Sequence, residues 1–360
     1  NDPMDGNGHG TACAGIAAGD LGTVGDYIGG VAPGAKLYAL KITYTATGVR
    51  AYTSDMVEAW DWCVDHQNDD PSNPIMVISM SFGFSGGRHT ATCDDWSTAL
   101  TTAASNAKAA GMTLFVSSGN DGYCDAISFP ACITHVISVG AVYDANIGRH
   151  PQPPHVGCIS NYSCAGYTEG CTCAEKCYVD ETTAPDQVTT YSNSASFLDI
   201  LAPSNHCTTT ELRGGYWTAA PGFGGTSAAC PYAAGAAACL QEAANDIRGF
   251  YLTPNGVQNL LTNTGDPITD PKVAITTPRV NLFMAVCGAD NLNCVWVDFN
   301  YSGMIEMGLF DLPYNTLAEA VDAAGVGKTI AIKAGSSPET ITITKEVTLR
   351  ACGGTVTIGQ

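Results

Sequence analysis

A histidine, an asparagine and a serine stand in three short Gly-rich segments, in that order along the chain. The first is DGNGHGTACAGIAAG at 5–19, where His9 opens a helix made almost wholly of Ala and Gly. With nothing bulky around it, such a helix can approach a neighbouring element closely. The second is FVSSGNDG at 115–122, a buried strand that ends in Asn120. An Asn there can aim its amide outward from the strand's C-terminal edge, where α/β proteins place their sites. The third is GGTSAACPYAAG at 224–235. Ser227 opens an Ala-rich helix beside unpaired backbone N–H donors and the positive helix end, a setting that stabilises a developing oxyanion. Pro231 is expected in the first turn of that helix, where N–H groups lack partners anyway. Each residue also has an ordinary structural use: a capping His, an Asn in a turn, an N-cap Ser. Each signal alone is modest. All three together, in this order, are strong.

Elements able to position these residues alternate over residues 10–286. Short Val/Ile-rich runs at 36–43, 75–81, 113–117 and 135–142 predict strands, and Ala-rich stretches at 54–67, 96–110 and 228–246 predict helices. Continuous apolar runs without alternation predict strands buried on both faces, hence a parallel sheet covered by helices. The fold class is α/β in three layers with a mainly parallel sheet. Residues 281–286 predict a last packed segment, and Cys287 to Cys294 a short stapled linker.

The region beyond differs in kind. Residues 313–324 predict one amphipathic helix with Leu317, Val321 and Ala324 on a stripe. Short β-branched runs follow at 329–334, 339–343, 347–351 and 355–358. Their even spacing resembles the start of a right-handed parallel β-helix of the pectate-lyase type, entered through a capping helix. The expected organisation is a catalytic domain over 1–286, a linker over 287–298 and the start of the β-helix over 299–360.

Composition narrows the function classes. The 360 residues carry 15 Lys+Arg against 34 Asp+Glu, a net charge of −19. A nucleic-acid binder needs clustered cations to neutralise phosphates, so that partner is excluded, and an anionic membrane surface is disfavoured. No apolar run approaches the ~18 residues that span a bilayer. Sixteen cysteines occur with no C-x-x-C pair. Cys158, Cys164, Cys171, Cys173 and Cys177 crowd a Gly/Ser/Thr-rich stretch, which predicts a disulfide-stapled surface insertion rather than a zinc cluster. Persistent disulfides imply a secreted or cell-surface protein. The first residues, Asn1-Asp2-Pro3, lack the basic and apolar regions of a signal peptide.

With these residues in place, the sequence over roughly 1–286 resembles the subtilisin-like serine proteases, the S8 or subtilase family. Supporting stretches are GVAPGAK at 30–36, ISMSFG at 78–83, SFPACITHVISVGA at 128–141, YSN at 191–193, DILAP at 199–203 and RVN at 279–281. The resemblance implies His9 as general base, Ser227 as nucleophile, and Asn120 as oxyanion donor together with the Ser227 backbone N–H. It implies that a peptide substrate lies as an extra strand along Ser81, Phe82 and Gly83. Ser117, Ser118 and Gly119 would form the facing wall, with Ser128 near the floor of the primary pocket. Phe84 stands where many relatives have a small residue, which would narrow the cleft. Asp121 and Asp125 are close in sequence to that pocket, where they would either favour a basic substrate side chain or simply be solvated. The chemistry agrees: a serine hydroxyl attacks once an imidazole takes its proton, and the imidazole then protonates the leaving amine. No G-x-S-x-G elbow surrounds Ser227, because Ala229 occupies its last position.

One departure is large. The family's orienting Asp precedes the His by ~30 residues on a buried strand, whereas eight residues precede His9. Asp2 and Asp5 lie too close to follow a strand. The expectation is a sequence that begins after one catalytic residue and ends inside a repeat, itself nearly inactive. Smaller departures are Ala228 after the nucleophile and Cys230 before Pro231. Cys13, one helical turn after His9, is either a free buried thiol, as in the thiol-containing branch of the family, or a disulfide partner. His66, His89, His135, His150, His155 and His206 show no ligand spacing and are taken as structural. No cofactor is required. Structural calcium is compatible with the acidic surface, without an assignable site. Protein or peptide substrates are the expected partners, with polysaccharide or a cell surface reached through the β-helix. The competing classes are a pseudoprotease used for binding and an attachment protein with a carbohydrate-directed β-helix.

Overall fold

Thr113, Leu114, Phe115, Val116 and Ser117 are all buried, as expected for a strand enclosed on both faces. The computed structural model describes residues 4–44, 50–84, 87–152, 159–160, 178–218, 222–290, 294–310 and 312–359. The cysteine-dense stretch from Cys158 to Cys177 has all five of its cysteines outside the described residues.

In chain order, the first half comprises α1 (His9–Ala18), β1 (Thr43–Tyr44), β2 (Arg50–Ala51), α2 (Thr53–Asp65), β3 (Val77–Met80), α3 (Thr98–Ala109), β4 (Thr113–Ser117) and β5 (Ile137–Tyr143). Then come β6 (His150–Gln152), β7 (Ile159–Ser160), β8 (Tyr178–Asp180), β9 (Ile200–Ser204), β10 (Thr209–Glu211), β11 (Gly215–Trp217), α4 (Thr226–Arg248) and α5 (Pro254–Asn263). The chain continues through β12 (Asp266–Asp270), β13 (Ile275–Arg279), α6 (Leu282–Ala289), β14 (Cys294–Val297), α7 (Leu317–Ala323), β15 (Thr329–Ser337) and β16 (Thr348–Ile358).

The central sheet has six strands in the order β12-β13-β9-β5-β4-β3. The pairs β3/β4, β4/β5, β5/β9 and β9/β13 are parallel; β12/β13 is an antiparallel edge hairpin. Alternation along β3 distributes the layers. Ile78 and Met80 enter a core with Met56 and Trp60 of α2 and Leu100, Ala103 and Ala104 of α3. Ser79 points the opposite way, its Oγ 3.6 Å from Cys230 Sγ on α4. Helices α1 and α4 pass closely at Gly235, where a Cβ would stand 2.7 Å from Ala17 O. The α/β class with a mainly parallel sheet is thus as expected.

Three strand expectations need correction. Of residues 36–43 only Thr43 lies in a strand, the two-residue β1. Leu40 and Ile42 pack against the core without a ladder partner, and apolar burial alone does not make a strand. Residues 339–343 form no strand, whereas 347–351 and 355–358 belong to one continuous strand, β16. Gly353 and Gly354, with φ of 80° and 150°, carry it through the stretch that resembled a turn.

The chain divides into two compact units, the first comprising Asn1–Cys239, Thr253–Gln258 and Asp266–Val280. The second comprises Leu240–Leu252, Asn259–Gly265 and Asn281–Gln360, and so draws on residues from both sides of position 286. Within it, β14, β15 and β16 form a parallel sheet with Val295, Ile330 and Leu349 in register. Helix α7 buries Leu317 and Val321 against Val297, Ile330 and Ile332, as its stripe predicts. Thr316 caps it, accepting from Glu319 N. The expected Cys287–Cys294 staple is not formed: both thiols are free, and Cys287 Sγ lies 3.4 Å from Cys352 Sγ on β16. Cys93 and Cys132 do form a disulfide.

Candidate active site

Helix α1 starts from a loop organised by Asp5. Its Oδ1 accepts from the backbone N–H groups of Asn7 (2.8 Å) and Gly8 (2.9 Å). Its Oδ2 accepts from Thr11 N (3.0 Å) and Thr11 Oγ1 (2.7 Å). These bonds outweigh the cost of partial burial and hold the carboxyl down at about 2. Asp5 is therefore a helix-start residue, with both oxygens occupied. A stability consequence follows with a definite sign. A depressed carboxyl stabilises the fold above the unfolded value near 3.9 and loses that contribution as pH falls toward about 2. Asp5→Ala is expected to cost about 1 kcal/mol at pH 7 and only a small fraction of that at pH 2, where the carboxyl is partly protonated in the folded chain. Urea unfolding at the two pH values checks it.

His9 packs edge-on against Phe223, with ring centroids 5.3 Å apart. Burial lowers its pKa, with the Asp5 charge opposing that shift, so the imidazole is neutral and able to accept a proton at pH 7. Nδ1 faces the Cys13 sulfur at 3.8 Å, and the same sulfur lies 3.4 Å from Ser227 O. Among the described residues no carboxylate is hydrogen-bonded to His9. Cys13 is a free thiol, one of the two alternatives weighed from the sequence. Burial pushes it up to about 12, so it is a protonated neighbour of His9 rather than a nucleophile. A mercurial bound there would displace the imidazole. Treatment with p-chloromercuribenzoate is expected to lower peptidase activity by at least about tenfold, and Cys13→Ala to remove that sensitivity. Residual activities of the two proteins after treatment provide the check.

The start of α4 explains how the other two residues meet. Thr226 donates from its N–H (2.8 Å) and its hydroxyl (2.9 Å) to Asn120 Oδ1. A backbone N–H only donates, so Oδ1 must face the helix start and Nδ2 must face away, free to donate to a bound oxygen. Gly225, at φ 80°, lets the turn approach: a Cβ there would stand 3.1 Å from Asn120 Nδ2. Pro231 falls in the second turn of α4, not the first. Lacking an N–H, it leaves Ser227 O without its helical donor. That carbonyl instead accepts from Ser81 Oγ at 2.8 Å, with Cys13 Sγ also at 3.4 Å. The proline thus frees the bond that ties Ser227 to the strand end and to the His9 helix.

The expected substrate residues flank this point. Ser81, Phe82 and Gly83 continue beyond β3, and Phe84 N donates to Phe129 O at 3.0 Å. The Phe84 ring packs against Phe129 and Phe82, at 5.6 and 6.4 Å. On the other side, Ser128 N donates to Ser118 O at 2.9 Å. Gly119 has φ 104°, and a Cβ there would lie 2.3 Å from Ser128 Oγ. Both segments therefore converge on Ser128-Phe129.

Asn193, quoted above only as part of a family stretch, is the buried hub of this region. Its Oδ1 accepts from Asp121 N and Tyr123 N; its Nδ2 donates to Ser118 O, Ser128 Oγ and Asp121 Oδ2. The segment carrying it is pinned by the buried Lys272, whose ammonium donates to the carbonyls of Thr189, Thr190 and Ser192 and pairs with Asp270 at 3.4 Å. Thr226 was a missed positioning residue, although its place directly before Ser227 was a local signal. Asn193 and Lys272 gave none, because their partners are remote in sequence. Among the described residues, His89, Cys93 and Cys132 are the one donor group close enough to hold a metal, and the disulfide uses both of its sulfurs.

An imidazole, a helix-start serine and an oriented carboxamide can together transfer an acyl group. Replacing Asn120 tests whether its amide receives an oxyanion. Asn120→Ala is expected to lower kcat by about 10²–10³ with little change in KM. Steady-state kinetics on a peptide substrate measure it.

Comparison with known proteins agrees with this geometry. Residues 1–282 match the model of the subtilase family, peptidase S8. The chain is 30% identical over 272 residues to serine protease AprX of Bacillus subtilis (strain 168), covering 75% of this chain and 55% of that protein. It is 30% identical over 243 residues to a subtilisin of Bacillus pumilus, covering 67% and 65%. The chain thus spans roughly half to two thirds of these relatives. The fold matches that of sphericase with a TM-score of 0.53 at 22% identity, covering 77% of this chain and 79% of that one. By its family match, its parallel sheet and its ordered His, Asn and Ser segments, the chain belongs to the subtilase family of serine proteases.

Proposed function

We propose that the chain is the catalytic part of a secreted serine endopeptidase acting through an acyl-enzyme. The observation that supports it most is the bonding of Thr226 to Asn120 Oδ1, which holds the amide oxygen at the helix start and leaves the Nδ2 donor free to meet a bound oxygen. In this mechanism His9 Nε2 removes the proton from Ser227 Oγ as the oxygen attacks the peptide carbonyl. The carbonyl oxygen takes the negative charge, and Asn120 Nδ2 and the Ser227 N–H receive it. Protonated His9 then passes its proton to the leaving amine. Water, deprotonated by His9, attacks the acyl-enzyme and returns Ser227. The substrate backbone lies along 81–83, with its primary side chain between Ser118-Gly119 and Ser128.

Residues 1–360 by themselves are expected to work slowly, since no carboxylate among the described residues fixes the His9 tautomer. That observation also favours the pseudoprotease reading. Secretion is supported by the Cys93–Cys132 disulfide. No helix among the described residues is long and apolar enough to cross a membrane. The in-register parallel strands β14, β15 and β16 support the beginning of a parallel β-helix. An internally quenched peptide separates the readings: internal cleavage blocked by phenylmethylsulfonyl fluoride supports the peptidase. No cleavage after prolonged incubation, with the protein folded, sinks it in favour of the binding protein.

A further inference from the structure

Three free thiols gather in the second unit, away from the active site. Cys287 on α6, Cys294 at the start of β14 and Cys352 on β16 are buried together with Trp296, Phe310 and Ala331. Cys287 Sγ and Cys352 Sγ are 3.4 Å apart, so the two sulfurs touch. A glycine lets their elements meet: Gly353 has φ 80°, and a Cβ there would stand 2.7 Å from Met284 Sδ on α6. Cys294 is engaged elsewhere. Its thiol donates to Asp290 Oδ2 at 3.1 Å, and burial together with that carboxylate pushes it up to about 12. Arg350 pairs with Asp290 at 3.5 Å and lies 3.6 Å from Cys294 Sγ. Cys352 is shifted in the opposite sense. Its hydrogen bond with Cys287, and after it the Arg350 charge, outweigh burial and hold it down at about 7.

We propose that Cys287 and Cys352 are a disulfide-forming pair that closes in an oxidising compartment and ties α6 to β16, with Cys294 left as a thiol. The proposal does not depend on the peptidase reading above. A disulfide holds its sulfurs at ~2.0 Å, and from contact distance modest side-chain rotations close that gap. The Cys93–Cys132 disulfide supports a compartment in which such bonds persist. The oxidant is a low-molecular-weight disulfide such as oxidised glutathione. The Cys352 thiolate attacks one of its sulfurs, forms a mixed disulfide and expels one glutathione thiolate. Cys287 then gives up its proton, attacks Cys352 Sγ and expels the second. Two protein thiols lose two electrons and two protons, and one disulfide becomes two thiols. Both protein sulfurs are buried, so the exchange precedes the packing of β16 on α6. Cys294 does not compete, because the thiolate is the attacking form and its thiol stays protonated. The bond closes a loop that contains β14, α7 and β15, and restricting that loop in the unfolded chain stabilises the unit.

The test folds the full chain in a buffer of reduced and oxidised glutathione, alkylates it, and digests it without reduction. Trypsin is combined with Asp-N protease, which cuts before Asp290 and so separates Cys287 from Cys294. Mass spectrometry is expected to find the Cys287 peptide joined to the Cys352 peptide, with Cys294 alkylated. Alkylation of both Cys287 and Cys352, or a link between Cys287 and Cys294, overturns the proposal. Thermal unfolding then reads the role of the bond. In the oxidised proteins the double variant Cys287→Ser with Cys352→Ser is expected to melt on the order of 10 °C below wild type. Dithiothreitol should abolish that difference, because it leaves both chains without the bond. Equal melting of the oxidised proteins overturns the stapling role. A difference that survives dithiothreitol overturns it too, since lost packing rather than a lost bond would then be the cause.

Discussion

Assayed on a peptide substrate, the 360-residue chain is expected to turn over about 10⁴-fold more slowly than a subtilase whose catalytic histidine has a carboxylate partner. The cause is local. His9 is neutral and placed against Phe223, but its Nδ1 faces a thiol sulfur at 3.8 Å. A carboxylate there would hold the proton on Nδ1, expose the Nε2 lone pair to the serine and stabilise the imidazolium that forms. A protonated thiol at that distance does none of these. Asp5 cannot take over without surrendering its bonds to Asn7, Gly8 and Thr11. The deficit should lie in kcat, because the segments proposed to bind substrate do not depend on that carboxylate. Ordinary subtilase turnover by the purified, folded chain would show that some other residue orients His9.

Ser227→Ala in the same chain is expected to cost a further factor of only about 10² in kcat, and to abolish covalent labelling altogether. Triad members act as a unit, so their losses do not add. Removing the serine alone costs about 2 × 10⁶ and the carboxylate alone about 3 × 10⁴, and the serine cost already equals that of removing all three. A chain without the carboxylate contact therefore has only the remaining ratio left to lose. What persists is the contribution of Asn120 and substrate binding. A loss near 10⁶ would mean that His9 is already fully oriented; no loss would mean that Ser227 is not the nucleophile.

How legible these features were depends on the distance over which each is specified. His9, Asn120 and Ser227 each begin or end an element, and the small residues that allow close approach surround them in sequence. The strand at 113–117 is continuous and apolar because both faces are covered, so its burial could be read directly. Residues 36–43 carry a similar pattern but lack a ladder partner, and pairing is not a local property. Asn193 makes its bonds to residues 65 to 75 positions away, and nothing in its neighbours marks it as a hub. Pro231 is expected in the first turn of its helix but stands in the second, and its effect depends on which carbonyl loses a donor. That carbonyl is the one on Ser227, and its replacement donors come from Ser81 and Cys13. In the second unit, Cys287 meets Cys352 on a strand 65 residues later, so proximity in sequence to Cys294 pointed to the wrong neighbour.

The central claim is that Ser227 is the nucleophile in a site completed by His9 and Asn120. It is tested most directly by reacting the full chain with a fluorophosphonate and mapping the adduct by peptide mass spectrometry. The expected result is a single, slowly formed adduct on Ser227, absent from Ser227→Ala and strongly slowed in Asn120→Ala. An adduct on another residue, or equal labelling of wild type and Ser227→Ala, would contradict the account.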